Sequence, residues 1–94
     1  MLTHIVLFRF ENMEEAEEAG RRLRAMEGQI PSLLGVEAGV DITRSQRSYE
    51  LALITRHEDS AGLDAYQVHP VHQEVVAYIK STASGSVAVD FLAK

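Results

Sequence analysis

The chain has 94 residues, of which 46% are hydrophobic, and its formal net charge is -5. This length and composition predict one folded domain spanning residues 1–94 rather than a disordered segment. The negative charge argues against nucleic acid as a partner, because binding phosphates needs a basic face. The sequence has no cysteine, no apolar run of roughly 18 residues and no basic leader, so we expect a cytoplasmic protein with no membrane partner.

The first half of the chain predicts a strand, a helix and a second strand. Residues 3–10 are rich in β-branched and aromatic side chains, which favours a strand. Asn12 is the predicted N-cap of a helix that extends to about residue 27, with Glu15 completing a capping box. A second strand is predicted over residues 34–42, where two glycines suggest a bulge or a strong twist.

The second half predicts a strand over residues 49–57, a helical segment that is broken at Pro70, and a last strand over residues 86–92. The resulting order, β-α-β-β-α-β, is typical of an α+β domain with a split βαβ arrangement. Both helices then pack on one face of an antiparallel sheet.

The other face of the predicted sheet is apolar, although no element of the chain remains to cover it. An uncovered apolar face of this kind indicates an interface, and the simplest partner is a second copy packed through a two-fold axis. We therefore expect a homodimer through a sheet face that includes Ile5, Leu7, Ala52, Ile54, Val87, Val89 and Phe91.

Residues 66–72 gather more proton-exchanging groups than any other stretch. Pro70 favours a helix start, which places His72 in the first turn of the new helix. The positive end of the helix dipole disfavours an imidazolium there, and a neutral imidazole is what a general base requires. Tyr66 precedes His72 by six residues, so the two share a face only if the break at Pro70 brings them together.

If the strand face that carries His4 meets the helices, His4 points into the layer that holds Tyr66 and His72. A cavity between sheet and helices is a usual form of small-ligand site, and this one would suit an apolar or aromatic ligand with a polar edge. The predicted lining of this cavity includes His69 at the helix break. Its apolar members are Val6, Phe8, Leu23, Leu51 and Leu53.

Each polar residue also has a structural interpretation. His4 and His69 can serve as hydrogen-bonded structural residues, and Tyr66 can lie at a core edge with its hydroxyl satisfied. His57, in a run that ends His-Glu-Asp, is expected to be exposed. His69 and His72 with Glu74 have the spacing of metal ligands, but the sequence offers no third partner, and no phosphate loop or dinucleotide fingerprint is present. We therefore expect neither a metal nor a cofactor.

Three stretches together resemble one known family. They are His4-Ile5-Val6-Leu7-Phe8, Leu63-x-x-Tyr66-x-x-His69-Pro70-x-His72 and Val89-Asp90-Phe91. In combination they resemble the stress-responsive A/B barrel (Dabb) domain of the dimeric α+β barrel superfamily, over essentially the whole chain. The resemblance implies ferredoxin-like protomers, each with a four-stranded antiparallel sheet, that pack sheet to sheet.

The resemblance also implies candidate roles. Some plant members of the family are linked to stress responses, and one is a polyketide cyclase that uses a tyrosine and a histidine for an intramolecular aldol condensation. By motif, these two residues fall on Tyr66 and His72, with a supporting histidine at His4. One hypothesis is therefore a cofactor-independent lyase or cyclase acting on an aromatic or polyketide-like substrate. The alternatives are a non-catalytic, stress-responsive dimeric ligand-binding module and a cofactor-independent monooxygenase.

Overall fold

A computed structural model describes residues 1–93 and confirms the α+β class. The chain forms four strands: β1 (Leu2–Phe10), β2 (Gly35–Val40), β3 (Leu51–His57) and β4 (Ala83–Leu92). They make one antiparallel sheet in the order β2-β3-β1-β4, which is the ferredoxin-like arrangement. The second predicted helical segment is present as two helices separated by a single residue. The helices are α1 (Met13–Arg24), α2 (Ser60–Val68) and α3 (Pro70–Thr82), and α1 lies between β1 and β2 in the chain.

Helix α1 begins as the sequence predicts and ends earlier. The Asn12 side chain accepts a hydrogen bond from the Glu15 N–H at 2.8 Å, and its amide donates to the Glu15 carboxylate at 2.9 Å. After Arg24 the chain tightens into turns with bonds between residues three apart, and Gly28 adopts a left-handed φ of 78°. The helix therefore ends three residues before the predicted position.

The two central strands place alternate side chains against the helices. In β1 these are His4, Val6, Phe8 and Phe10, and in β3 they are Leu51, Leu53, Thr55 and His57, all of them buried. The register pairs His4 with Thr55 and Val6 with Leu53. Because side chains alternate along a strand, Ile5, Leu7 and Ile54 face the opposite way, onto the side of the sheet that carries no helix.

Strand β4 is the exposed edge of the sheet. Residues 84–92 are exposed on both of its faces, including the side that the sequence pattern assigns to the helices. The helices lie over β1, β2 and β3, which explains why the side of β4 that carries Asp90 remains open. On the opposite side Val87, Val89 and Phe91 are 49%, 63% and 46% exposed. Within residues 1–93, no helix is long and apolar enough to cross a membrane.

Candidate functional site

The site begins with the break between α2 and α3, where His69 is the single residue that separates the two helices. His69 has an extended backbone, and its Nδ1 accepts the Val71 N–H at 3.1 Å, which caps α3. Pro70 occupies the first position of α3, where a missing N–H costs no helical bond. The predicted break at Pro70 is thus confirmed.

The break brings Tyr66 and His72 together. Their ring centroids are 4.3 Å apart, with the planes tilted by 51°. The His72 Nδ1 lies 3.0 Å from the Gln67 carbonyl oxygen. Because a carbonyl can only accept, Nδ1 carries the proton, and in the neutral ring Nε2 holds the lone pair. His72 therefore has the tautomer of a base at Nε2.

His4 approaches Tyr66 from the sheet, with ring centroids 6.4 Å apart. Its Nδ1 is bonded to the carboxylate of Asp90, the residue directly opposite it in the β1–β4 register. The His4 side chain is 9% exposed and the Asp90 side chain 44%. The pair thus connects the buried interior to the surface beside β4.

His57 is the third histidine around Tyr66, and the expectation that it is exposed was wrong. It is fully buried, with its ring centroid 4.9 Å from that of Tyr66. Its Nδ1 donates to the Ser32 carbonyl at 2.8 Å, so Nε2 accepts from the Thr55 hydroxyl at 2.9 Å. The alternation of the strand could have predicted that His57 is buried. Side chains at every second residue share a face, so His57 lies on the same face as Leu51 and Leu53.

The surroundings favour the uncharged forms of His57 and His72 and the protonated form of the Tyr66 phenol. Burial lowers the pKa of His72 against the opposing bond to Gln67, and His4 and His57 lower it further. Burial likewise lowers the pKa of His57, and it raises the pKa of Tyr66 well above the usual range of a phenol. The neutral state of His72 that the sequence predicted from the helix dipole thus has burial as its main cause.

The Tyr66 ring is the common neighbour of the three histidine rings, and its hydroxyl is unpaired among the described residues. The side chain is 0% exposed, and the hydroxyl has no hydrogen-bond partner among the described residues. An unmade bond at a buried polar group costs about 1–3 kcal/mol. This leaves a protonated donor surrounded by three imidazole rings.

The residues predicted to line a substrate pocket lie in the core of the free chain. Val6, Phe8, Leu23, Leu51 and Leu53 are each at most 9% exposed and belong to one apolar cluster with Tyr66. A groove of about 260 Å³ lies elsewhere, between α1 and α3, and its lining includes Arg22, Met26, Val71 and Val75. Across residues 1–93, no three His, Cys, Asp or Glu side chains are grouped so as to hold a metal ion.

The fold and the buried tyrosine–histidine cluster define a ferredoxin-like α+β protomer with a polar centre between sheet and helices. The model of the stress responsive A/B barrel domain matches residues 2–93, and the chain belongs to this family. An uncharacterized protein of Streptomyces coelicolor is 31% identical over 93 residues, which cover 94% of this chain and 96% of that protein.

Solved structures share the fold. A dimeric ferredoxin-like protein of unknown function from Thermobifida fusca has a TM-score of 0.86 at 28% identity, covering 98% of this chain and 90% of that one. A hydroxynitrile lyase from Passiflora edulis has a TM-score of 0.83 at 12% identity, with 99% and 93% covered. A cofactor-independent oxygenase from Streptomyces nogalater has a TM-score of 0.78 at 14% identity, with 99% and 92% covered. At such identities the two enzymes show that the fold is shared, and nothing about the reaction of this chain.

Proposed function

We propose that the protein is a cofactor-independent enzyme that moves a proton on a small carbonyl compound with an apolar or aromatic body, in a lyase or cyclase reaction. The observation that carries the proposal is the unpaired Tyr66 hydroxyl, fully buried and in ring contact with His72. A buried donor without a protein partner is available to a substrate oxygen, and a neutral imidazole beside it is available to a substrate proton.

In the proposed reaction His72 Nε2 takes a proton from the carbon next to a carbonyl group. The electron pair of the broken C–H bond moves into the carbonyl, and the oxygen becomes an enolate that Tyr66 stabilises by donating its O–H. The enolate carbon then attacks a second carbonyl of the same molecule, which forms a C–C bond and an alkoxide. The imidazolium of His72 returns its proton to that alkoxide, so the enzyme ends as it began.

The charges around the cluster support a neutral donor as the oxyanion stabiliser. Within the described chain, no Lys or Arg contributes to the pKa shifts of Tyr66, His57 or His72. A protonated phenol in a buried site gives a directed hydrogen bond without a fixed positive charge. Since Tyr66 is closed off in the free protein, the substrate has to part the surrounding side chains, and some of its binding energy is used for that opening.

The proposal can be tested without the natural substrate. A methyl ketone such as acetophenone, incubated in D₂O, exchanges its α-protons only if a base removes them, and NMR follows the exchange. We expect His72→Gln and Tyr66→Phe each to slow the protein-catalysed exchange by about 100-fold or more. Tyr78→Phe is the matched control, since the Tyr78 hydroxyl makes only a 3.5 Å contact with the Glu15 carbonyl and lies outside the cluster. Exchange that survives both changes, or that wild type does not accelerate, contradicts the proposal.

The second candidate is a non-catalytic, stress-responsive dimeric module that binds a small ligand. Its support is the complete burial of Tyr66 and the packed state of the predicted lining residues. In that case Tyr66 and His72 serve to fix the helix break, and replacing either lowers the melting temperature without any effect on exchange. A cofactor-independent oxygenase is the third candidate, supported by the fold shared with the Streptomyces nogalater enzyme.

We also propose that the protein is a homodimer through the open face of the sheet. Support comes from the exposed apolar side chains on that face and from the dimeric protein of Thermobifida fusca. Val89→Asp places a charge on this face, at the most exposed of the three apolar positions that β4 contributes to it, and is expected to give a monomer in analytical ultracentrifugation. Ala77→Asp is the matched control on an exposed position of α3 and should remain dimeric. A dimeric Val89→Asp would exclude this face as the interface.

A further inference from the structure

We propose that Asp90 is a positioning residue of the same site: its carboxylate holds His4 with the proton on Nδ1 and the lone pair on Nε2. This gives the site a second nitrogen acceptor besides His72. The inference rests on the proposed function for its purpose. It assigns to His4 Nε2 the role of accepting a hydrogen bond from the water or substrate hydroxyl that exchanges protons with the product. The tautomer of His4 can be tested independently of any activity.

The geometry of the pair supports this role. His4 and Asp90 face each other directly in the antiparallel register of β1 and β4, on the side of the sheet that carries the helices. The contact joins His4 Nδ1 to one carboxylate oxygen of Asp90. A carboxylate accepts and does not donate when ionised, so the shared proton belongs to Nδ1. The remaining nitrogen, Nε2, is then unprotonated in the neutral ring.

Exposure changes in steps along the cluster. Tyr66 is 0% exposed and the His4 side chain 9%, whereas the Asp90 side chain is 44% exposed. The same carboxylate acts on the interior, since it opposes the lowering of the His57 pKa, in which burial dominates. Asp90 therefore connects a buried group of neutral rings with water, through a histidine it orients.

A purely structural role explains the pair poorly. The pairing of β1 with β4 runs from Leu2 opposite Leu92 to Phe10 opposite Ala83, so the backbone ladder already fixes the register. An ion pair with one partner half exposed contributes at most about 1 kcal/mol. Asp90 also forms no ion pair with Lys or Arg in the described part of the chain, so His4 is its charged-group partner.

The test uses ¹⁵N-labelled full-length protein at about pH 8, where an ordinary imidazole is neutral. Long-range ¹H–¹⁵N NMR spectra distinguish a protonated ring nitrogen from an unprotonated one. We expect wild-type His4 to be protonated on Nδ1. Asp90→Ala should shift His4 toward the Nε2-protonated form, while the spectra of His57 and His72 keep their Nδ1-protonated pattern. Asp64→Ala, which removes an exposed carboxylate from α2, is the matched control and should change none of them.

A second variant, Asp90→Val, removes the acceptor while favouring the strand, so that a folding defect of the alanine variant does not decide the outcome. A His4 that stays Nδ1-protonated in both variants, or that is Nε2-protonated in wild type, overturns the proposal. In the acetophenone assay we expect both variants to lose about tenfold or more in kcat with little change in KM.

The two proposals fail in different ways. If His4 depends on Asp90 but wild type accelerates no exchange, the proposed function is wrong and the positioning of His4 stands. If exchange requires Tyr66 and His72 but the His4 tautomer ignores Asp90, only the positioning is wrong.

Discussion

Two buried polar groups of this protein, Glu50 and Tyr66, differ in how their hydrogen bonds are satisfied. Glu50 is 5% exposed, and its two carboxylate oxygens accept from the Phe10 N–H at 2.9 Å and from the Arg44 guanidinium at 2.7 Å. Tyr66 is 0% exposed, and its hydroxyl has no partner among the described residues. The hydrogen bonds of Glu50 are therefore all made within the chain, whereas the Tyr66 hydroxyl makes none with the described residues.

The difference is the one that the proposed function predicts between a structural group and a functional one. The bonds of Glu50 hold the loop before β3, including Arg44 at a left-handed φ of 52°, which the Arg44 N–H further supports by donating to Asp41 at 2.6 Å. Among residues 1–93, no hydrogen bond of the Tyr66 hydroxyl holds a neighbouring segment in place. A fold that keeps an unpaired buried donor gives up stability there, which is the usual mark of a group reserved for a ligand.

The largest expected effect on stability comes from removing the Glu50 carboxylate, whose hydrogen bonds are all made. Glu50→Ala leaves the Phe10 N–H without its acceptor and Arg44 without one of its two carboxylates, so we expect a loss of about 1–3 kcal/mol in the free energy of unfolding. Urea titration at a fixed protein concentration measures it. Glu58→Ala, at an exposed position, is the control and should change the value by less than about 0.5 kcal/mol. An equal effect of the two variants would remove the contrast between Glu50 and a surface carboxylate.

The next largest effect is a change in the free energy of unfolding of the opposite sign, a gain. Tyr66→Phe deletes an unsatisfied hydroxyl and keeps the ring, so we expect a gain of about 1 kcal/mol in the free energy of unfolding together with the loss of exchange activity. Thermal and urea unfolding beside Tyr78→Phe measure the gain. A lower stability for Tyr66→Phe would mean that the hydroxyl has a structural partner, and would favour the non-catalytic module.

The smallest effect is the dependence of stability on pH. The pKa values of His57 and His72 are lowered from the ordinary 6.5, chiefly by burial. The unfolded chain therefore binds more protons just below that pH, and stability is complete above about 6.5 and falls as the solution is acidified. We expect urea midpoints to decrease between about pH 7 and pH 5.5, and His72→Gln to flatten this slope. A midpoint that does not change over this range would contradict the buried, neutral state of both rings.

The same link between a shifted pKa and stability applies to Glu50, but at a lower pH than for the histidines. Burial alone would raise the pKa of Glu50, but the Phe10 N–H and Arg44 together outweigh it and lower the pKa from 4.5. The stabilisation from Glu50 is therefore complete above that value and is lost as the pH falls through the lowered pKa. The histidine and carboxylate contributions thus weaken in successive pH windows.

Much of the architecture could be predicted because it depends on local chemistry. Asn12 caps α1, Pro70 breaks the second helical segment, and the alternation of β1 separates His4 from Ile5, each through constraints that act within a few residues. The end of α1 and the open helix-facing side of β4 were missed. The openness of β4 depends on which strands the helices cover, and no local pattern contains that information.

The sequence by itself determined the element order, the two faces of the sheet and the candidates Tyr66, His72 and His4, since periodicity, caps and proline geometry are local properties. Only the tertiary structure decided that His57 joins them, that Asp90 contacts His4, and that the Tyr66 hydroxyl has no partner within residues 1–93. These facts depend on side chains from separate strands and helices meeting in space, and hydrogen-bond satisfaction can be judged only where all possible partners are in place.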